Sequence, residues 1–333
     1  MVGPSRAVFL LFCLFVNGEE TQKNTLGKVI IDNDAGGDDA TAIFLALLNE
    51  KYNNGPKIIG LTTVKGNTIE SNVNINNQRI LKVAKRQDIP IYRGAKDSLL
   101  KEFESECYFG VDGLGDSGEE ITNMVPAHEK NAVSALIELS KTHAGELSVL
   151  TLGPLTNIAI ALRLDPEFIG RLAHLYIGAG HIHSDNFPTP EFNAQFDIDA
   201  YHIVLQNSNP DKVTLLPFSQ VQLHLNYSKS WRQDVLGGIN NDIVKAMNKY
   251  EKVSLKNNER WIDLDPAVVA AAVKPNLVKE YKYSKNDIIW NGGKRGIVSN
   301  ELVDKEKANA RIIYSMKSED YRIFLLSVFS AEK

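Results

Sequence analysis

Short apolar runs rich in β-branched residues recur along this chain, and helical patterns lie between several of them. The runs cover 28–32, 57–64, 147–152, 172–178 and 212–217, and the helical patterns cover 40–48, 75–85 and 131–141. Near-continuous hydrophobic strands that alternate with helices are typical of sheets covered on both faces. The pattern therefore predicts an α/β fold with an open, mostly parallel central sheet and helices on both faces.

The rest of the chain offers no boundary between domains. No Pro/Gly/Ser-rich linker and no internal repeat interrupts residues 19–333, so we expect a single domain over that range. The polar, helix-like stretch 228–262 is expected to form a cap or a lateral subdomain of it.

The N-terminal segment is typical of a secretory signal peptide. Arg6 precedes the apolar run 7–16, and Asn17-Gly18 and a polar stretch follow. The run is too short to cross a bilayer of about 30 Å as a helix. We therefore expect residues 1–18 to be removed and the protein to be secreted, with no membrane partner.

Charge and cysteine content exclude other classes. The net charge of -4 gives no basic surface for nucleic acid. Cys13 lies in the predicted signal peptide, which leaves Cys107 without an intramolecular disulfide partner. A sequon at Asn226 is compatible with secretion, although one such tripeptide arises often by chance.

The stretch DNDAGGDDA, residues 32–40, crowds carboxylates at the end of the first predicted strand. Asp32, Asp34, Asp38 and Asp39 would repel one another there and would lose hydration. A helix cap explains one of them, whereas a hard divalent cation offsets all of them. The absence of His and Cys argues against zinc or copper and favours Ca²⁺ or Mg²⁺.

These residues resemble the calcium-dependent nucleoside hydrolases of the inosine-uridine type, whose signature is an apolar strand followed by DxDxGxDDA. The resemblance extends through TTVKGN, PIYRGA, DGLGD, LGPLTNIA, PEFN and DPAVVAAAVKP, in the order of that family. It implies hydrolysis of the N-glycosidic bond of ribonucleosides, a bound Ca²⁺, a small-molecule nucleoside as the partner, and a homodimer or homotetramer.

The resemblance also implies roles for individual residues around the cation. Asp34 would bind Ca²⁺ and act as the general base that takes a proton from the attacking water. Asp39, Asp265 and the backbone carbonyl of Leu152 would complete the protein ligands, and Asp32 would orient them. Leu152 stands where the family usually has Thr, but a carbonyl ligand survives a change of side chain.

The ribose hydroxyls would be held by polar residues of three loops, namely Asp38, Asn67, Asn186, Glu191 and Asn193. The family usually has one more residue between the positions of Asn186 and Glu191, which makes Asn186 a departure from the pattern. Asn-rich loops also arise from ordinary turn chemistry.

Activation of the leaving base is the weakest part of the resemblance. Many relatives carry His directly before the last calcium-binding Asp, and this chain has Leu264 there. Two interpretations follow. In one, Trp261, Tyr108 and Phe109 stack on a purine base and the protein is an active, purine-preferring nucleosidase. In the other, the protein binds nucleosides without turnover. The first is favoured because the other site residues persist together.

Two further motifs allow more than one interpretation. His181 and His183 are expected to be polar packing residues of their loop, unless one of them supplies the missing acid. Asp32 and Asp34 also satisfy the DxD motif of haloacid-dehalogenase-like phosphatases, but AGGDDA fits that motif poorly.

Overall fold

The computed structural model describes residues 27–100, 104–118 and 122–332, and a nine-stranded sheet forms the centre of this part of the chain. The predicted signal peptide lies outside the described residues and stays a prediction. The strands are β1 Lys28–Asn33, β2 Lys57–Thr63, β3 Ile91–Tyr92, β4 Leu147–Thr151, β5 His174–Gly178, β6 Val213–Leu216, β7 Tyr227–Ser228, β8 Arg260–Trp261, β9 Val278–Ile288, β10 Val298–Leu302 and β11 Ala310–Met316.

The strand order in the central sheet is β10-β9-β11-β6-β5-β4-β1-β2-β3. Every neighbouring pair from β11 to β3 is parallel, and only β9 and β10 run antiparallel to their neighbours. The predicted open, mostly parallel sheet is thereby confirmed. The short strands β7 and β8 form a separate antiparallel pair.

Helices connect and cover the strands. They are α1 Gly37–Asn53, α2 Glu70–Val83, α3 Ala132–Thr142, α4 Thr156–Leu164, α5 Phe168–Arg171, α6 Phe192–Phe196, α7 Ile198–Gln206, α8 Phe218–His224, α9 Asp242–Tyr250, α10 Lys252–Asn257, α11 Leu264–Val273 and α12 Ser318–Ala331, with a π-helix at Trp231–Leu236. None of the helices in the described ranges is both long and apolar enough to cross a membrane.

Two apolar cores lie on the two faces of the sheet. Helices α1 and α11 are packed together on one face, while α4 and α7 are packed together on the other. The stretch 228–262 contributes Trp231, Val244 and Met247 to the same core as Phe44 of α1. It is therefore an integral part of this core and not a lateral subdomain.

The site-bearing end of the sheet follows from this topology. From β1, the chain adds β2 and β3 on one side and β4, β5 and β6 on the other. In parallel sheets a crevice opens at the carboxyl ends of the strands where the order reverses, and ligands bind there. Here that point lies between β1 and β4.

Candidate active site

A strained turn joins β1 to α1 at this crevice. The chain leaves β1 at Asn33 and enters α1 at Gly37, and Ala35 between them has a φ of 40°, in the left-handed region. This conformation costs a non-glycine residue about 1–2 kcal/mol. Asn76 of α2 holds the turn by donating its side-chain N–H to the Ala35 carbonyl at 3.0 Å. The turn directs the acidic residues around it toward the crevice.

The first turn of α1 carries two adjacent carboxylates. Asp39 is buried, and its Oδ2 accepts the backbone N–H of Gly36 at 2.7 Å. Asp38 is half-buried, and its Oδ1 accepts the backbone N–H of Asp39 at 3.1 Å. The positive end of the helix dipole favours both negative charges. One helix end therefore presents two carboxylates side by side.

Asp265, in the first turn of α11, reaches the same place. Carboxylate oxygens of Asp38, Asp39 and Asp265 lie within 4.8 Å of one another. Together with Asp34 these residues are called the acidic group below. Burial and then the neighbouring carboxylates raise the pKa of Asp38 and Asp265 well above the ordinary value. Asp38, predicted only as a ribose ligand, thus also lies within reach of a shared cation.

Asp34 is fixed in a tight pocket of backbone. Its Oδ2 accepts the backbone N–H of Asn67 at 2.6 Å. A β-carbon added to Gly66 would lie 2.0 Å from that oxygen, and one added to Gly153 would lie 3.0 Å from Oδ1. Burial raises the pKa of Asp34 to about 7. Two glycines therefore make room for this carboxylate.

Asp32 lies beneath, in β1. Its Oδ1 accepts hydrogen bonds from the Thr62 hydroxyl and, at 2.8 Å, from the Asn157 side chain. Burial raises its pKa to about 7. These bonds fit the predicted supporting position of Asp32.

The acidic group fits a hard cation by its donor set. Asp34 Oδ1 and Asp39 Oδ1 are buried and have no hydrogen-bond partner among the described residues. Burying a carboxylate oxygen without a partner destabilises the folded state, and a bound cation would offset this effect. Ca²⁺ and Mg²⁺ are the cations that prefer ligands made only of oxygen atoms.

A cavity of about 370 Å³ opens over the acidic group. It brings together most of the residues predicted from the sequence, namely Asp38, Asn67, Tyr108, Phe109, Leu152, His181, Glu191, Asn193, Leu264 and Asp265. The wall also contains residues that were not predicted, namely Glu106, Pro190, Phe192, Phe218, Gln222, Arg260, Ile262 and Asp263.

Glu191 and Asn193 are anchored to the backbone of the cavity wall. The Glu191 carboxylate caps α6 by accepting the backbone N–H groups of Asn193 and Ala194, each at 3.0 Å, and it accepts that of Gly180 at 2.6 Å. The Asn193 side chain donates to the carbonyls of Leu152 at 2.7 Å and Gly178 at 2.9 Å. Both side chains are therefore held rigidly in the crevice.

Two predicted substrate residues lie elsewhere. Trp261 is buried beside Trp231, with ring centroids 5.7 Å apart, and its indole N–H donates to Glu251 at 3.0 Å. It does not line the cavity, so the prediction that it stacks on a base is corrected. Asn186 is exposed on the loop before α6 and is not brought to the cavity wall. The missing loop residue noted in the sequence is consistent with this position.

Sequence reasoning missed a buried ion pair and an acid near the site. Glu251 accepts hydrogen bonds from Arg232 Nε and from the Thr41 hydroxyl, both at 2.8 Å. Asp263 lines the cavity, is 7% exposed, and its Oδ2 has no partner among the described residues. The DLD spacing of Asp263 and Asp265, which repeats that of Asp32 and Asp34, was the available signal for Asp263.

The sequence of this chain matches one known protein family. The family model described as inosine-uridine preferring nucleoside hydrolase matches residues 29–322. A relative called probable uridine nucleosidase 2, from Arabidopsis thaliana, is 38% identical over 184 residues, which cover 53% of this chain and 55% of that protein. The chain thus spans about half the length of this curated relative.

Solved structures match over nearly their whole length. A plant nucleoside hydrolase, the PpNRh1 enzyme, superposes with a TM-score of 0.81 at 25% identity, covering 92% of this chain and 99% of the other. An inosine-guanosine nucleoside hydrolase gives the same TM-score and identity, covering 91% and 98%. With the sheet, the acidic group and the family match in agreement, this chain belongs to the inosine-uridine preferring nucleoside hydrolase family.

Proposed function

We propose that this protein hydrolyses the N-glycosidic bond of ribonucleosides and releases ribose and the free base. One observation carries the proposal: buried carboxylates that have no cationic partner in the described part of the chain lie at the bottom of a cavity whose wall holds Glu191 and Asn193. Hydrolysis of this bond passes through an oxocarbenium-like sugar, which nearby negative charge stabilises. A phosphatase would have no use for these two side chains.

The cation in this proposal is Ca²⁺. Asp34, Asp39, Asp265 and the Leu152 carbonyl would hold it, with Asp38 within reach of the same place. When bound, the cation lowers the pKa of a water molecule and offsets the repulsion among the carboxylates. The oxygen-only donor set supports a hard cation, and its several carboxylates suit the higher coordination number of Ca²⁺ better than that of Mg²⁺.

The chain itself would contribute orientation and proton transfer. Asp34 takes the proton of the attacking water, and the backbone N–H of Asn67 fixes the orientation of its carboxylate. Asp38, Asn67, Glu191 and Asn193 hold the ribose hydroxyls. Because Glu191 and Asn193 are locked by backbone hydrogen bonds, little reorganisation is needed when the sugar binds.

We propose a preference for purine nucleosides. Tyr108 and Phe109 meet edge to face with centroids 4.8 Å apart at the cavity, and Phe192, Phe218 and Ile262 extend its apolar wall. A wide apolar wall with aromatic rings favours the larger base. Relatives are named for both classes of base, since one is called a probable uridine nucleosidase and another an inosine-guanosine nucleoside hydrolase.

Base release measured by chromatography tests these statements. The protein is incubated with inosine, adenosine, guanosine and uridine, first with Ca²⁺ and then with a chelator. We expect purine release that stops on chelation and returns with Ca²⁺ but not with Mg²⁺. Faster release from uridine would contradict the purine preference. Saturable inosine binding without base release would favour the nucleoside-binding alternative, and release of phosphate from p-nitrophenyl phosphate would favour a phosphatase.

We also propose that the protein is secreted after removal of residues 1–18 and that it forms a homo-oligomer. N-terminal sequencing of protein from the culture medium should then begin near residue 19. Retention inside the cell with the first eighteen residues attached would contradict secretion. Light scattering tests the dimer or tetramer.

A further inference from the structure

The departing base needs help that the position of Leu264 cannot give. When the bond between the sugar and the base breaks, its electron pair moves onto the base, and a hydrogen-bond donor stabilises the resulting charge. Leu264 lines the cavity but has no donor. The question is therefore which other side chain of the cavity wall has a hydrogen to give.

His181 is a poor candidate for a cationic donor. Its ring is stacked between Phe187 and Phe218, with centroid distances of 5.4 and 5.9 Å. Burial and then His183 lower the pKa of His181 to about 4. Its imidazole is therefore neutral at neutral pH. It also lies next to Gly180, whose backbone N–H holds Glu191 on the sugar side of the cavity.

Three other donors of the wall are already engaged. The Asn193 amide donates to two backbone carbonyls, and the Asn67 amide donates to Asp39 at 3.3 Å. Arg260 donates to the side chain and the carbonyl of Asn226. These contacts hold the three donors in the wall.

The Tyr108 hydroxyl differs from these groups. Its oxygen accepts a hydrogen bond from the Asn258 side chain at 3.2 Å, and its own hydrogen has no acceptor within the described residues. Burial and then the carboxylates of Asp263 and Asp38 raise the pKa of Tyr108 well above its ordinary value. The hydroxyl therefore keeps its proton, and Tyr108 lines the same cavity as Asp38.

The neighbouring residue fixes Tyr108 relative to the acidic group. Phe109 is 4% exposed, and its ring atoms lie 2.7 Å from β-carbons built on Gly36 and on Gly37. The loop is thus pressed against the turn that carries Asp34, Asp38 and Asp39, and a side chain at either glycine would displace it. Tyr108 directly precedes Phe109 in the chain and is half-exposed at the rim of the cavity, so the packing of Phe109 restrains its position.

We propose that the Tyr108 hydroxyl donates a hydrogen bond to an acceptor atom of the departing base. This inference rests on the proposed hydrolysis. The bond between the sugar and the base breaks, its electron pair goes to the base, and the hydroxyl of water bonds to the sugar carbon. Tyr108 keeps its proton throughout. The base takes one proton from solvent, and the proton released by the attacking water returns to solvent through Asp34.

The test compares two leaving groups in Tyr108→Phe, which keeps the ring and removes the hydroxyl. With inosine we expect kcat to fall about 100-fold, the usual effect of deleting one donor to developing charge. With p-nitrophenyl β-D-ribofuranoside we expect kcat within about two-fold of the unaltered protein, because nitrophenolate leaves without a donor. Tyr52→Phe, at an exposed tyrosine bonded to Glu332, is the matched control and should change neither rate.

A second measurement separates donation from support of the structure. Across aryl ribosides of increasing leaving-group pKa, kcat of Tyr108→Phe should fall more steeply than that of the unaltered protein. An equal loss with inosine and with the nitrophenyl riboside would overturn the proposal, as would unchanged inosine hydrolysis. Failure of the unaltered protein to hydrolyse either compound would instead refute the proposed function. Thermal unfolding of each variant verifies that the fold is intact.

Discussion

Buried carboxylates at this end of the sheet occur in two opposite arrangements. The acidic group contains oxygens of Asp34 and Asp39 that have no partner among the described residues. Glu251, which is fully buried nearby, has its charge matched by the equally buried Arg232 and accepts further bonds from Thr41 and Trp261. Glu251 therefore has its charge and hydrogen bonds satisfied within the folded chain, whereas the acidic group would need the proposed cation to offset its charge.

The contrast separates a binding function from a structural one. Glu251 joins helix α1, the π-helix and β8 through hydrogen bonds from one residue of each. A charged residue can stabilise such a junction only when its own charge is neutralised. The charges of the acidic group are not neutralised in this way, so the group lowers the stability of the fold and leaves its oxygens available to an ion. Neutralising substitutions should consequently act in opposite directions in the two arrangements.

The largest effect is expected for Asp34→Asn. Removing the proton acceptor should lower kcat/KM about 1,000-fold or more, since general bases contribute about 10²- to 10⁴-fold. In the presence of a chelator the free energy of unfolding should stay equal or rise, because one charge is removed from a repelling group. Steady-state kinetics and urea unfolding measure the two quantities. Near-normal turnover would contradict the role of Asp34, and a marked loss of stability would contradict the contrast.

Glu251→Ala should reverse that pattern. Deleting the carboxylate leaves Arg232 buried without its partner, which typically costs about 3–5 kcal/mol of unfolding free energy. Urea unfolding in the presence of chelator measures the loss.

The combined variant Glu251→Met with Arg232→Met serves as the control. It should recover most of the lost stability, because a buried ion pair can be replaced by apolar side chains of similar volume. A loss below about 1 kcal/mol in Glu251→Ala, the size of a surface ion pair, would show that Glu251 does not hold the junction together.

The smallest effect is expected for Glu70→Gln. Glu70 is also buried and ion-paired, but the Arg93 side chain is 43% exposed, so water screens the pair. Gln can still accept the hydrogen bond that the Thr63 hydroxyl donates at 2.7 Å. We expect a loss of about 1–2 kcal/mol, typical of one altered buried hydrogen bond. A loss as large as that of Glu251→Ala would mean that exposure of the partner does not matter.

The sequence predicts five of the parallel strands, β1, β2, β4, β5 and β6, because buried strands are largely apolar. It misses the two-residue strand β3, the strand β11 beside β6, and the strands β9 and β10, which lie at the antiparallel edge and have several exposed polar residues. The polar residues of β9 and β10 give these two segments the composition of a loop or a surface helix. A buried parallel strand therefore gives an apolar run that can be recognised in the sequence, whereas an exposed edge strand does not.

The same limit applies within the site. The carboxylates that follow β1, such as Asp34, are found because their crowding at a strand end needs an explanation, whereas the Leu152 carbonyl is found through the family resemblance. Trp261 is misread because periodicity does not say whether an aromatic ring faces the core or the cavity. Glu251 and Arg232 are missed because each is an ordinary charged residue in a polar stretch, and only the packing of that stretch against α1 buries them.

The pairing of β1 with β4 has a consequence for how the chain folds. Lys28 lies opposite Leu147, so the two walls of the crevice meet only after a long intervening segment has been closed. Contacts of this range form late and slow the folding reaction. An ion that needs Asp34 and the Leu152 carbonyl together finds no site before that closure. Calcium is thus expected to prolong the lifetime of the finished protein by slowing unfolding, and to leave the rate of folding nearly unchanged.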